Sequence, residues 1–218
     1  MTEADWLECP DPHGAMAWIR EKVNASHRRL GLFAAAYCRL YWTMLDDERS
    51  RMAVEIAELF ADGLATDTQR KQAASDARAA FRELFQNREW SWERFITMSV
   101  ASASLGEWYP SVQEATFSET PPPPAGAGCR SERPHAPVIQ CVFGNPFRPV
   151  AFDPHWRTAD TVGLARGIYE DRAFDRLPLL ADALMDAGCA DEQVLGHCRS
   201  DGPHVRGCWV VDLVLGKE

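Results

Sequence analysis

The stretch Leu30-Gly-Leu-Phe-Ala-Ala-Ala-Tyr-Cys-Arg-Leu-Tyr-Trp-Thr-Met-Leu-Asp-Asp-Glu48 decides the fold class. Leu30, Phe33, Tyr37, Leu40, Tyr41 and Met44 follow steps of three and four, the spacing of one buried helical face. Asp46 and Asp47 end that run, and either can cap a second helix whose first turn favours Glu48. The second helix is expected to show an apolar stripe at Met52, Ile56, Leu59, Phe60 and Leu64, with Gly63 near its end. The pair reads as a helical hairpin.

Outward from this pair, residues 14 to 108 contain no proline and are rich in Ala, Leu, Glu and Arg. A third helix is expected from about Thr68 to Gln86, with Ala73, Ala77, Ala80, Phe81 and Leu84 on one side, where small residues permit close helix contact. Trp90, Trp92, Phe95, Ile96 and Met98 suggest a fourth, ending near Gly106. Residues 117 to 137 include four consecutive prolines, Pro121 to Pro124, among Gly, Ser and charged residues, and read as a stiff linker or long surface loop. The β-branched run Val138 to Phe143 and the proline-punctuated residues up to Trp156 read as extended, at most a strand pair. Four short helices are then expected at Thr161 to Glu170, Phe174 to Ala187, Asp191 to Arg199 and Pro203 to Leu215. Gly188 stops the second, Asp191 caps the third and Pro203 opens the fourth.

The expectation is a mainly α protein with little or no β-sheet. Its parts are an N-terminal helical bundle over 1–116, a Pro-rich linker over 117–137, and an extended lead with a short-helix cluster over 138–218. No repeat of fixed period points to a solenoid or propeller.

Composition narrows the function classes. The 218 residues hold 23 Lys and Arg against 32 Asp and Glu, a net charge of −9 that repels phosphate backbones and anionic lipid faces. Nucleic acid and membrane are therefore not expected as partners. The opening Met1-Thr-Glu-Ala-Asp-Trp-Leu-Glu8 lacks the basic and apolar regions of a secretory signal, and the apolar stretch Leu30 to Tyr37 is far short of the roughly 20 residues of a membrane span. Seven scattered cysteines, an odd number, suit reduced thiols and a cytoplasmic location.

Two stretches carry a resemblance: Phe143-Gly-Asn-Pro-Phe-Arg-Pro-Val150, and His197-Cys-Arg-Ser-Asp-Gly-Pro-His-Val-Arg-Gly-Cys-Trp-Val-Val-Asp-Leu-Val-Leu-Gly216. Met1 to Leu7, Asp47-Glu-Arg-Ser50 and Ala61-Asp-Gly-Leu-Ala65 match the same pattern. The chain resembles a large uncharacterised paralogous family of planctomycete bacteria. The resemblance implies kinship and no assigned reaction.

The densest chemistry is Cys189, His197, Cys198, His204 and Cys208, five potential metal ligands within twenty positions. If Pro203 opens a helix, His204 and Cys208 stand four apart on one face, Cys198 approaches across the Ser-Asp-Gly-Pro turn, and Cys189 or His197 supplies a fourth ligand. The spacing lacks a CxxC pair and matches no standard zinc finger. The plainer reading, which that spacing favours, makes Cys198 and Cys208 small buried apolar residues and both histidines capping or surface groups. Cys9-Pro-Asp-Pro-His13 sets a thiol near an imidazole and reads more simply as a capping turn. No phosphate loop, dinucleotide fingerprint, nucleophile elbow or HExxH motif is present.

The leading expectation is a non-enzymatic cytoplasmic protein-interaction module without a cofactor. It would bind a protein partner through aromatic residues, with Trp6, Trp90, Trp92, Trp108 and Trp156 the candidates for partial exposure. The alternative is a zinc-binding structural domain using the Cys/His cluster. A Cys/His-dependent enzyme comes third.

Overall fold

The computed structural model of the protein describes residues 1–8, 12–86 and 135–217. The fourth helix expected near Trp90 to Gly106, most of the Pro-rich linker, Trp90, Trp92, Trp108, Cys129 and the Cys9 end of the thiol–imidazole pair lie outside them. Among the described residues the elements are all helical, as the sequence predicts. Numbered over those residues, they are α1 (Glu3–Glu8), α2 (Pro12–Trp18), α3 (His27–Leu40), α4 (Glu48–Ala61), α5 (Asp67–Gln86), α6 (His135–Phe143), α7 (Ala159–Asp171), α8 (Leu177–Asp186), α9 (Glu192–Arg199) and α10 (Trp209–Leu215). Short single turns stand at Ile19–Val23, Trp42–Met44, Pro154–Trp156 and Phe174–Arg176. No helix among the described residues is long and apolar enough to cross a membrane.

The chain divides into two compact units, one of Met1–Trp18 with Ala136–Glu218 and one of Ile19–His135. The sequence reading joins residues 1–18 to the bundle over 1–116; their hydrogen bonds run instead to residues 140–145. The reason is local. A helix of six residues cannot stand alone in water, and α1 finds its partners for Trp6 and for its last carbonyls on α6.

In the unit of Ile19–His135, α4 packs against both α3 and α5. Ser26 caps α3 through Arg29 N, and Asp47 caps α4 through Arg49 N, one of the two aspartates expected for that role. Arg39 binds Glu58 with two bonds, Nε to Oε1 at 2.7 Å and Nη2 to Oε2 at 2.9 Å, and Arg28 meets Asp62 at 3.0 Å. Both pairs tie α3 to α4. The stripe expected on α4 is not its buried face: Met52, Phe60 and Leu64 are exposed, while Ser50, Ala53, Val54 and Glu58 are buried. Small side chains allow α4 to approach the buried Ala73, Ala77 and Ala80 of α5, and close approach wins over side-chain hydrophobicity.

In the other unit, Ile168, Tyr169, Leu177, Leu180, Leu184, Val194, Val210, Val211 and Val214 form the core with Cys141, Cys189, Cys198 and Cys208. The run Val138 to Phe143 is helical rather than extended. Val138, Ile139, Cys141 and Val142 are all 0–1% exposed while Gln140 is only partly buried, so α6 buries one broad face, in a run too short and too β-branched for its period to stand out. Pro137 sits in its first turn, where the missing N–H costs no hydrogen bond. The last expected helix is also shorter: Pro203 to Cys208 form a loop, and α10 starts at Trp209. Asp191 and Gly188 act as the sequence suggests, cap of α9 and left-handed stop after α8.

The tryptophans of this unit are used internally. Trp6 is 1% exposed, contrary to the expected exposure, and its Nε1–H donates to Gly144 O at 3.0 Å. Trp18 stacks on Phe147 at 4.8 Å, Trp156 meets the Phe152 ring edge-on at 5.2 Å, and Trp209 is buried. Gly144 ends α6 with φ +65°, and a Cβ there would lie 3.2 Å from the Trp209 indole. Gly144→Ala is therefore expected to destabilise this unit by about 2 kcal/mol, the cost of a left-handed residue plus the displaced indole. A denaturant midpoint unchanged from wild type would contradict it.

Candidate metal centre

The geometry brings Cys141, His197, His204 and Cys208 together, their ligand atoms all within 4.8 Å of one another. Each comes from a different element: Cys141 from α6, His197 from α9, His204 from the following loop and Cys208 from the residue before α10. The loop is shaped for this. Ser200 leaves α9 in extended conformation, Gly202 has φ +84°, and a Cβ on Gly202 would stand 2.8 Å from the His204 backbone nitrogen. Only glycine lets the chain turn so closely under His204. Cys208 N then bonds Val205 O at 2.9 Å, and Cys208 O accepts from Asp212 N to start α10. Cys208 makes no side-chain cap bond, which leaves its sulfur for the cluster.

Orientation is fixed atom by atom. His197 Nε2 lies 3.2 Å from Cys208 Sγ, and His204 Nδ1 lies 3.8 Å from Cys141 Sγ. The other nitrogen of His204 donates to Ser200 O at 3.0 Å, the outer partner that typically sets a ligand imidazole's tautomer and ring plane. Ser200 in turn donates its hydroxyl to His197 O at 2.8 Å, holding the end of α9. The two imidazoles meet edge to face at 4.8 Å, and Trp209 packs 5.4 Å from the His197 ring. Both sulfurs are buried, and both rings are half-buried.

The protons are unevenly shared. Burial pushes the Cys208 thiol up, but hydrogen bonding from Cys141, the charge of His197 and hydrogen bonds from both imidazoles reverse this and hold it well below the ordinary thiol range. Cys141 moves the other way, because it gives its S–H to Cys208 and because it is buried. Burial draws His204 down, and its bonds to Cys208 and to the Ser200 backbone outweigh that, leaving it above the ordinary imidazole range. Cys208 is thus a thiolate in waiting.

Two thiolates and two neutral imidazoles form a set that a divalent ion neutralises, a condition that buried charge requires. A tetrahedral zinc with bonds of about 2.3 Å to sulfur and 2.0–2.1 Å to nitrogen places its ligand atoms roughly 3.3–3.8 Å apart, so the widest edge closes by only about 1 Å. Two ions about 3.5–4 Å apart would need a longer cage.

Of the five ligands expected from the sequence, His197, His204 and Cys208 meet here, although no helix from Pro203 brings the last two together. Cys189 and Cys198 do not join them. They pack in the apolar core at 3% and 0% exposure, and burial pushes both thiols up. On α9 His197 turns to the cluster, and the next residue turns about 100° away into the core. Cys141 takes the fourth place; it lies 56 positions before His197 in an apolar run, with no local motif to mark it. No protein-family model, curated protein or solved structure was found to match the chain.

Proposed function

We propose that the unit of Met1–Trp18 and Ala136–Glu218 is a structural zinc domain, with Cys141, His197, His204 and Cys208 as ligands. The supporting observation is the convergence of two sulfurs and two correctly turned imidazole nitrogens from four elements, one nitrogen already braced by a backbone carbonyl. Four protein ligands leave no open position for substrate, which is the pattern of a structural site. The Cys/His enzyme reading has a thiol–imidazole contact in Cys208 and His197, but the sulfur is fully buried. Of the tryptophans on which the protein-interaction reading rests, Trp156 is partly exposed, Trp6 is buried, and Trp90, Trp92 and Trp108 lie outside the described residues, so that reading draws less support than the ligand cluster.

Kinship with the planctomycete family accompanies this proposal. The stretches that carry the resemblance, 143–150 and 197–216, contain three of the four ligands and begin two residues after the fourth. A cytoplasmic location is proposed with it, in keeping with the free, buried Cys38, Cys141, Cys189, Cys198 and Cys208.

Elemental mass spectrometry of protein purified without a histidine tag tests the proposal. About one zinc per chain, with a lower melting temperature in chelator, is expected. Protein that neither carries zinc nor takes it up on reconstitution would end the reading.

A further inference from the structure

Both cysteines sit next to residues that seat the N-terminal helix. Gln140, which precedes Cys141, donates its side-chain amide to Trp6 O at 2.9 Å and Leu7 O at 3.0 Å. Those carbonyls belong to the last turn of α1, where no partner within the helix exists. Gly144, three residues after Cys141, accepts the Trp6 indole N–H, and Asn145 Nδ2 donates to Glu3 Oε1 at 2.9 Å. Arg148 pairs with the same Glu3 carboxylate at 2.6 Å. Trp209, which follows Cys208, presses on the face of Gly144 where a Cβ would be. The chain from 140 to 148 therefore holds α1 at both ends; Cys141 lies within three residues of Gln140 and Gly144, and Cys208 adjoins the Trp209 that backs Gly144.

We infer that the ion in this site is a latch for the N-terminal helix: bound, it clamps Cys141 to Cys208 and so fixes Gln140 and Gly144, with Trp209 packed behind Gly144, as the seat of Trp6; removed, it frees α1 while the remaining helices keep their core. This rests on the zinc reading. The second half is drawn from α8, whose Leu177, Leu180 and Leu184 share one core with Cys141 and Cys208 but which supplies no ligand itself. The six-residue α1 supports the first, since its order comes from the seat rather than from its own turns. By reciprocity, a seat weakened by mutation binds zinc less tightly, by the same factor that zinc loss weakens the seat.

Hydrogen exchange of the full chain, zinc-loaded, chelated and reloaded, reads the latch through the indole N–H of Trp6, assigned by its loss in Trp6→Phe. Chelation is expected to speed exchange of this proton by at least tenfold more than it speeds the slowest backbone amides of α8, and reloading to restore it. Gln140→Ala should speed Trp6 exchange with zinc still bound at full stoichiometry. Zinc that leaves without changing Trp6 exchange overturns the latch and spares the zinc site. Equal loss of protection in α1 and α8 overturns it as well, since the ion then stabilises the whole unit without distinction. A protein that never binds zinc overturns both proposals.

Discussion

Replacing Cys208 by serine removes the metal from the protein and lowers its melting temperature by about 10 °C or more, while in chelator variant and wild type unfold within a few degrees of each other. The size follows from two magnitudes. Structural zinc binds with about 10–16 kcal/mol in small zinc peptides, and at about 4–8 °C per kcal/mol a net loss of only about 2 kcal/mol of that already gives this shift. Cys208 is the informative ligand because its sulfur meets His197 Nε2 at 3.2 Å and its thiol is held low by Cys141 and both histidines, so serine removes the sulfur around which the others gather. Cys198→Ser is the matched control. Its sulfur is equally buried and adjoins His197 in sequence, but it lies outside the group of four converging ligand atoms. That variant keeps its zinc and loses the same stability with and without chelator. If both variants behave alike, the ligand set is wrong.

The second large effect belongs to the other unit. Arg39→Met strips Glu58 of its bidentate guanidinium while the carboxylate stays 1% exposed, and the expected cost is about 2–3 kcal/mol, that of lost hydrogen bonds to a buried charged group. The Glu58 charge is felt nearby: Cys38 is pushed up to about 12, first by burial and then by that carboxylate. Replacing both partners, Arg39→Met with Glu58→Leu, removes the charge along with its counterion and should recover most of the loss. Urea unfolding of the single and double variants decides it. A single variant within about 1 kcal/mol of wild type would mean that the pair is too solvated to matter.

Where the sequence was legible, local chemistry and periodicity agreed. Asp47, Asp191 and Gly188 do at α4, α9 and α8 what their side chains favour, and the alanines of α5 face inward. Where it misled, the run was too short for a period to show, or burial inverted the period. Helix α6 has only about two and a half turns, so its valines and isoleucine imitate a strand despite Gln140 on the less buried side. Helix α4 turns Ser50 and Glu58 inward because the axes on either side are close and Arg39 offers a partner, and its larger apolar side chains face out. The site was three-quarters visible because His197, His204 and Cys208 lie within twelve positions. Cys141 was not, since a ligand brought in by tertiary packing leaves no spacing to read. Pro203 misled for a related reason: the turn around Gly202 and Gly207, both at positive φ, occupies the place of a first helical turn.

The pairing of Trp6 with Gly144 also sets a timetable. Unit Met1–Trp18 with Ala136–Glu218 is split in sequence, and 138 positions separate donor from acceptor. At ribosomal speeds of about 5–20 residues per second, Trp6 waits roughly 7–28 s after its own synthesis before Gly144 exists to receive it. Throughout that interval the newborn chain carries an aromatic segment without its seat. Residues Ile19–His135 emerge complete during the same wait, so the unit that begins first is the one that finishes last.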